Sequence, residues 1–542
     1  MPTVAQFLMD RIQPLSKDIF GVAGDYCLNL VHQLNNKFKF VNTCDEQGAG
    51  FAADAYARCN GFGVVVATYC VGGFKLLNPI AGAYAERSPV LFISGAPGVA
   101  ERKNGLLLHH AAGAYECQHQ VFKNVTCASA VLDDPQWAGY EIERVIDSIK
   151  YYNQPGYIEI PRDMVDRNIV HDAYMQDIPM IAKEDDENLK EALEVATHWL
   201  SVSKNPIILA GVEIARFGFG EELKKFAERN NILIATTILG KSTVNERHPL
   251  SIGIYNSKIS DEQTCRIVEE ADCVLMLGVM QTDLNFGFQP FACDRKNVIM
   301  ANTGRVKIRR STYENVRFQT FVKNLLKIGL PAPKSTAKIN HPVMVPFKPE
   351  SHKPITVNRV FEKIDSFLDK TMAIVADIGD SLFGAVKLTV HHRNHFLAPA
   401  FYTSMGSSIP GALGLQTALP NVRPIVIVGD GAFQMTGNEI STIIRQKLNP
   451  IIFILNNGGY VTERRLGYDG SYNDLQNWNY HEIPKLYNGG VGFLVKTEED
   501  LELAVRESLL NKNSVSVINV IIDKNDITPA LRKMTEKLSE SI

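Results

Sequence analysis

The sequence predicts an α/β protein of several domains, and three observations carry that expectation. Short apolar runs alternate with stretches of helical pattern along most of the chain, the runs are continuous instead of alternating, and 542 residues are too many for one hydrophobic core. Continuous apolar strands separated by helices imply parallel sheets with both faces covered. At roughly 150 residues per domain, three or four domains are expected.

The strand-like runs fall in order at 63–69 (GVVVATY), 89–95 (PVLFISG), 155–161 (PGYIEIP), 206–211 (PIILAG), 232–237 (ILIATT), 273–278 (CVLMLG), 297–302 (NVIMAN), 373–377 (AIVAD), 424–430 (PIVIVGD) and 450–455 (PIIFIL). Two stretches interrupt this rhythm. Residues 178–190 (IPMIAKEDDENLK) are polar and acidic, and residues 331–354 (PAPKSTAKINHPVMVPFKPESHKP) are dense in Pro, Lys and Ser, so both read as joints. They divide the chain into domains at 1–177, 191–330 and 355–542, each of single-domain size. The first and last share one strand-helix rhythm, and no short-period repeat is found.

A formal net charge of -3 provides no field that would gather nucleic acid or anionic lipid, so the expected partner is a small molecule, with no nucleic acid and no membrane. Nine scattered cysteines, odd in number and without a Cys-x-x-Cys pair, read as reduced thiols of a cytoplasmic protein. The N-terminus lacks a basic start followed by an unbroken apolar stretch, and nowhere do about 18 apolar residues run together. No targeting or spanning segment is expected.

One Gly-x-Gly-x-x-Ala occurs, GAGFAA at 48–53, the pattern of a dinucleotide-binding turn. Glu46 just before it would oppose a pyrophosphate, and the next strand end, VVVATYC, offers no acidic residue for a ribose, so a nicotinamide enzyme is not expected. A better specified pattern is PIVIVGD. It sets Asp430 at the carboxyl end of a strand, where open α/β sheets bind ligands, and Gly431 lets the backbone approach closely before a helix. The next strand, PIIFIL, ends in Asn456 and Asn457. Two strand ends then offer a carboxylate and amide oxygens to one point, a donor set suited to Mg²⁺ that also binds phosphate oxygens. Either motif alone reads equally well as a turn, since Asn and Gly favour positive φ, but the pair at this spacing favours the metal.

Gly429-Asp430-Gly431, then twenty-four residues, then Asn456-Asn457 resembles the signature of thiamine-diphosphate enzymes. Other stretches narrow the likeness: FGVAGDYCLNLV (20–31), CDEQGAGFAADAYAR (44–58), GAYAERSPVLFISGAP (82–97), LLLHH (106–110), ADIGDSLFGA (376–385) and GGYVTER (458–464). In these and in their order the chain is similar, over essentially its whole length, to the pyruvate, indolepyruvate, phenylpyruvate and branched-chain 2-oxo acid decarboxylases.

That resemblance implies a pyrimidine-binding, a central and a diphosphate-binding domain, with active sites shared between the subunits of a homodimer or homotetramer. It implies thiamine diphosphate and Mg²⁺ as cofactors, with Asp430, the Asn457 side chain and the Gly459 carbonyl as metal ligands. On the same ground Gly431 and Ala432 are backbone donors to the diphosphate, and Asp380 is a further cofactor-binding residue. Glu46 corresponds to the glutamate that hydrogen-bonds the aminopyrimidine ring; its plain alternative is a solvated glutamate at a helix entry. Met405 corresponds to the apolar residue that bends the cofactor, where a methionine elsewhere is usually core filler. Asp25, His109, His110 and Glu463 correspond to the family's polar catalytic set. The histidines then deliver protons after CO₂ loss and assist aldehyde release, and Glu463 faces the substrate carboxylate. A second histidine cluster, HHRNH at 391–395, is expected to be a solvated loop without metal.

Several positions leave the family pattern. Gly73 stands where many relatives have Glu, Cys70 where they have Gly, Asp45 where many have Asn, and Gly458 where Asp often precedes the ligand-bearing glycine. At the substrate pocket, Leu382 stands where a larger aromatic occurs in pyruvate decarboxylases, and Thr462 replaces a branched apolar residue. Both changes make room. LGVMQTDLNF (277–286) and LAPAFYTSMG (397–406) look more like the phenylpyruvate and indolepyruvate enzymes. The expected reaction is non-oxidative decarboxylation of an aromatic or branched-chain 2-oxo acid to an aldehyde and CO₂. The alternatives are a pyruvate decarboxylase proper, an acetolactate synthase-type carboligase, and a non-catalytic relative; His109-His110 and Glu463 speak against the last two.

Overall fold

A computed structural model describes residues 1–170, 183–289, 291, 297–331, 339 and 346–539. Residues 178–182 of the first expected joint, 332–338 and 340–345 of the second, and Cys293 lie outside the described residues.

The described residues build three sheets. The first contains β1 (Asp18–Gly21), β2 (Lys39–Asn42), β3 (Gly63–Ala67), β4 (Val90–Ala96), β5 (Ala128–Val131) and β6 (Gly156–Pro161), all parallel, in the order β2-β1-β3-β4-β6-β5. The second contains β7 (Pro206–Ala210), β8 (Leu233–Thr236), β9 (Ser251–Ile254), β10 (Cys273–Leu277), β11 (Val298–Asn302), β12 (Arg305–Ile308) and β13 (Ser311–Glu314), in the order β13-β12-β11-β10-β7-β8-β9. The third contains β14 (Met372–Ala376), β15 (Phe396–Leu397), β16 (Arg423–Gly429), β17 (Ile451–Asn456), β18 (Val491–Val495) and β19 (Ser516–Ile521), again all parallel, in the order β15-β14-β16-β17-β19-β18.

The expected parallel α/β class is what the chain adopts, with one local exception. β11, β12 and β13 form an antiparallel meander. Gly304 at φ +87 makes the two-residue turn from β11 to β12, and Arg309 at φ +56 begins the turn into β13. The polar/apolar alternation of β12 follows, because only one of its faces is covered.

In the central strands both faces are buried, which is why they read as unbroken apolar runs. In β7, Ile208 and Ala210 enter one core while Ile207 and Leu209 enter the other; in β10, Cys273, Leu275 and Leu277 oppose Val274 and Met276 in the same way.

By packing, the chain forms two compact units: one holds the first sheet together with residues 409–420 and 441–445, and the other holds the second and third sheets. In the first unit a Cβ at Gly414 would lie 2.0 Å from the Ala52 carbonyl oxygen, so that helix contact requires glycine.

Sheet order locates the ligand crevices. In the third sheet the chain leaves β14 for β15 on one side and returns to β16 on the other, so the carboxyl ends of β14 and β16 flank a topological switch point. Asp380 follows the first and Asp430 the second. In the first sheet the same switch lies between β1 and β3, with Asp25 beyond the end of β1.

Candidate active site

In the second unit a cavity of about 490 Å³ opens at the switch point of the third sheet. Asp380, Met405, Asp430, Gly431, Ala432, Asn457, Gly459, Thr462 and Glu463 all line it. Asp430 opens the helix Asp430–Thr436 and is 2% exposed. Its Oδ1 accepts from the Gly431 N–H at 2.8 Å and its Oδ2 from the Gly459 N–H at 3.1 Å. Asn457 Oδ1 accepts from the same Gly459 N–H at 3.3 Å, so the Asp430 and Asn457 side chains converge on the Gly459 backbone. Burial pushes the Asp430 carboxyl up to about 6, against the pull of those N–H groups. A buried carboxylate beside an amide oxygen suits a hard divalent cation, and such a cation would reverse that shift.

The adjacent asparagines divide their work. Asn456 Nδ2 donates to Asn477 Oδ1 at 2.9 Å and to Asn519 Oδ1 at 3.1 Å, so it holds the sheet end while Asn457 faces the cavity. The backbone at 459 admits only glycine: it lies at φ +151, and a Cβ there would sit 1.9 Å from the Asn473 carbonyl oxygen, whereas Gly458, at φ +71, has open space around it.

Three positioning residues went unread in the sequence. Asp377, wholly buried at the end of β14, accepts from the Gly406 N–H at 3.1 Å and the Ser408 N–H at 3.0 Å, while the Thr436 hydroxyl donates to the Gly406 carbonyl at 2.6 Å. Together they fix the turn that aims Met405 into the cavity. Its signal was present: AIVAD places a carboxylate at a strand end just as PIVIVGD does. Arg464 reaches the Gly458 carbonyl (3.3 Å), the Asn473 carbonyl (3.4 Å) and Asp474 Oδ1 (2.7 Å), and so ties the 457–475 loop closed. Only loop closure brings these groups together, and no spacing rule reveals it. Thr528 engages both oxygens of Asp380, through its N–H at 2.9 Å and through its hydroxyl. Burial pushes Asp380 up to about 6 in spite of those bonds.

Leu382 departs from expectation. It is 1% exposed, packs with Ile238 and Ala400, and does not line the cavity. On the helix Asp380–Ala385 its neighbours Ser381 and Phe383 turn toward the cavity, and a rotation of about 100° per residue carries Leu382 away into the core.

In the first unit Glu46 opens the helix Glu46–Asn60, whose N-cap is the Asp45 side chain accepting from the Gly48 N–H at 2.8 Å. Asp at 45 therefore keeps the capping role that Asn would fill. Glu46 is 8% exposed and pairs with Lys75 Nζ at 3.2 Å, so it is not a solvated helix-entry residue. The GAGFAA stretch lies inside this helix, all of it buried, with Gly50 against Pro79; it is a packing surface and no phosphate loop.

Asp25 and the histidine pair converge as expected. His109 Nε2 lies 2.6 Å from Asp25 Oδ2, and His110 Nδ1 lies 3.8 Å from Asp25 Oδ1. Tyr26 stacks on His109 with ring centroids 4.8 Å apart. Burial works against charge on Asp25, but the His109 hydrogen bond and charge outweigh it and hold the carboxyl below its ordinary range.

The departures at Gly73 and Cys70 share one cause. A Cβ at 73 would lie 1.9 Å from Gln118 Oε1, and that same oxygen accepts from the Cys70 N–H at 2.7 Å. The buried Gln118 amide fills the space that a glutamate side chain at this position would need, and it holds Cys70 at φ +50. The HHRNH stretch is a loop, but only part of it is solvated: His395 is 4% exposed and its Nδ1 lies 3.0 Å from the Met372 carbonyl.

With this geometry in place, comparison with known proteins adds a consistent result. The chain matches the thiamine pyrophosphate enzyme N-terminal TPP-binding domain over residues 2–122, the central domain of the same enzymes over 193–328 and their C-terminal TPP-binding domain over 377–520. It is similar to an indole-3-pyruvate decarboxylase of Azospirillum brasilense, 32% identical over 96% of this chain and 95% of that protein. It is also similar to a probable pyruvate decarboxylase of Schizosaccharomyces pombe (31% identical, 98% and 95% covered) and to pyruvate decarboxylase 3 of Arabidopsis thaliana (32% identical, 99% and 93% covered). Among the described residues no helix is long and apolar enough to cross a membrane.

Proposed function

The chain belongs to the thiamine-diphosphate-dependent 2-oxo acid decarboxylases, and from that premise we propose that it converts an aromatic or branched-chain 2-oxo acid to an aldehyde and CO₂, using Mg²⁺ held by Asp430, Asn457 and Gly459. The observation that carries this reading is the convergence of the Asp430 and Asn457 side chains on the Gly459 backbone in a cavity that Met405 and Glu463 also line. The rest of its wall is mostly apolar and includes the aromatic rings of Phe288, Phe383, Phe401 and Tyr460, which supports a bulky side chain over the methyl group of pyruvate.

When bound, the cofactor supplies the electron sink that a departing carboxylate requires. Gly431, Ala432, Asp380 and the metal ligands would hold it in the cavity, and Met405, its turn braced by Asp377, would pack against it. Glu46, at its buried helix entry, would hydrogen-bond the pyrimidine. Asp25 orients His109, and the two histidines move the protons needed after CO₂ has left. Glu463, exposed to the cavity, would donate to the substrate carboxylate from its protonated form, with Thr462 leaving room beside it. We assign the active form as a homodimer or homotetramer in the cytoplasm.

The test is aldehyde release from pyruvate, 2-oxoisovalerate, phenylpyruvate and indolepyruvate with thiamine diphosphate and Mg²⁺. Higher kcat/KM for the bulky substrates is expected, and Glu46→Gln should lower kcat by about 10²–10⁴-fold. Turnover of none of the four overturns the reaction, and a preference for pyruvate overturns the substrate class.

A further inference from the structure

Asp25, His109 and His110 place one carboxylate oxygen and two imidazole nitrogens within 4.8 Å of one another. We propose that these three side chains also form a binding site for Zn²⁺ or a similar borderline divalent cation, distinct from the Asp430 site, and that the cation switches the enzyme off by occupying them. The inhibition rests on the proton-handling role proposed above; the binding rests on geometry alone.

Four ligands at about 2.0–2.2 Å from a tetrahedral zinc ion stand about 3.3 Å apart. The observed separations bracket that value: 2.6 Å from Asp25 Oδ2 to His109 Nε2, and 3.8 Å from Asp25 Oδ1 to His110 Nδ1. Backbone geometry brings consecutive histidines onto one carboxylate. His110 lies at φ +67, in the left-handed region, and the two rings stand 4.8 Å apart at 80°. Consecutive residues in an extended strand would point to opposite sides.

A second observation also points to a ligand. His110 Nδ1 is shielded from solvent and has no hydrogen-bond partner, an arrangement that leaves a lone pair or an N–H unsatisfied. With Nδ1 unprotonated, a cation between it and Asp25 would take up its lone pair. Outside the ligands, the Tyr26 hydroxyl lies 3.3 Å from His109 Nδ1, the place of the partner that usually orients a metal-bound imidazole. Arg162, the cation over the Tyr26 ring, has its charge taken up by Glu101 through Nε at 2.9 Å. The His109 side chain is 58% exposed and that of Asp25 42%, so an ion can enter and the fourth position faces water.

Two nitrogens with one carboxylate favour zinc over the magnesium expected at the all-oxygen Asp430 site. Loss of activity follows because the atoms that would carry protons are the atoms the cation takes.

The experiment uses the full chain loaded with thiamine diphosphate and Mg²⁺. Co²⁺ serves as the spectroscopic probe and Zn²⁺ as its competitor. The expected result is the intense visible d–d absorption of four-coordinate cobalt without thiolate charge transfer, abolished by Zn²⁺ together with decarboxylation. His109→Gln and His110→Gln, judged by cobalt absorption and not by turnover, should each weaken binding at least tenfold, and Tyr26→Phe by about tenfold. Cobalt and zinc titrations that are the same in the wild type and in the His109→Gln/His110→Gln double variant overturn the site. An enzyme that binds cobalt in this way but decarboxylates nothing overturns the functional reading and leaves the site standing.

Discussion

His395 shows how far burial moves a single group. Its neighbours in sequence are histidines as ordinary in composition as His109 and His110, yet burial and the nearby His392 push its imidazole down to about 4. The folded chain holds it neutral, whereas the unfolded chain takes up a proton near pH 6.5. Between those values the unfolded state binds more protons, so stability falls as pH drops from about 6.5 to about 4, by at most about 3 kcal/mol. His395→Gln should flatten that part of the pH dependence, read as urea midpoints at pH 7 and pH 5. The sequence showed two histidine clusters of equal promise and favoured one through its LLLHH context. That choice was legible in the motif; the burial of His395 was not, because it depends on the Met372 carbonyl arriving from another strand.

At the next scale the elements explain what single positions could not. Gly73 and Cys70 each looked like an unexplained departure, and the Gln118 amide accounts for both. Gly73→Ala should destabilise the protein by about 1–3 kcal/mol, the usual cost of overpacking, and Gln118→Ala in the same chain should recover part of it. Thermal melts of the single and double variants measure this. The 457–475 loop is a second case. Its glycines and Asn457 were readable as a ligand loop from their spacing, but Arg464 spans groups nine and ten residues onward only after the loop has closed. Arg464→Gln should weaken the joint binding of Mg²⁺ and thiamine diphosphate by about tenfold to a hundredfold, followed by calorimetry, with little change in the melting temperature of the cofactor-free protein. Equal cofactor affinity in the variant would remove Arg464 from the loop's support. The helix Asp380–Ala385 makes the opposite point: family resemblance placed Leu382 at the pocket, and the helical turn carried it into the core.

For the whole molecule, the second and third sheets belong to one compact unit, and a buried ion pair helps to join them. Lys241, 2% exposed at its side chain, bonds both oxygens of Glu246 at 2.7 and 2.8 Å and the Leu388 carbonyl at 2.8 Å, while Glu246 also accepts from the Val390 N–H. Lys241→Met leaves Glu246 without its cation and should cost about 3–5 kcal/mol, seen as an earlier unfolding step in calorimetry. The sequence by itself determined the α/β class, the parallel sheets and which residues at the ends of β16 and β17 line the cavity, because unbroken apolar runs and a motif of fixed spacing are local properties of the chain. Only the tertiary structure decided that Glu46 is buried against Lys75, that Asp377 and Arg464 brace the cavity, and that Leu382 lies outside it. Those outcomes depend on contacts between residues far apart in sequence and on which side of a helix turns inward, and neither is written in any one stretch of the chain.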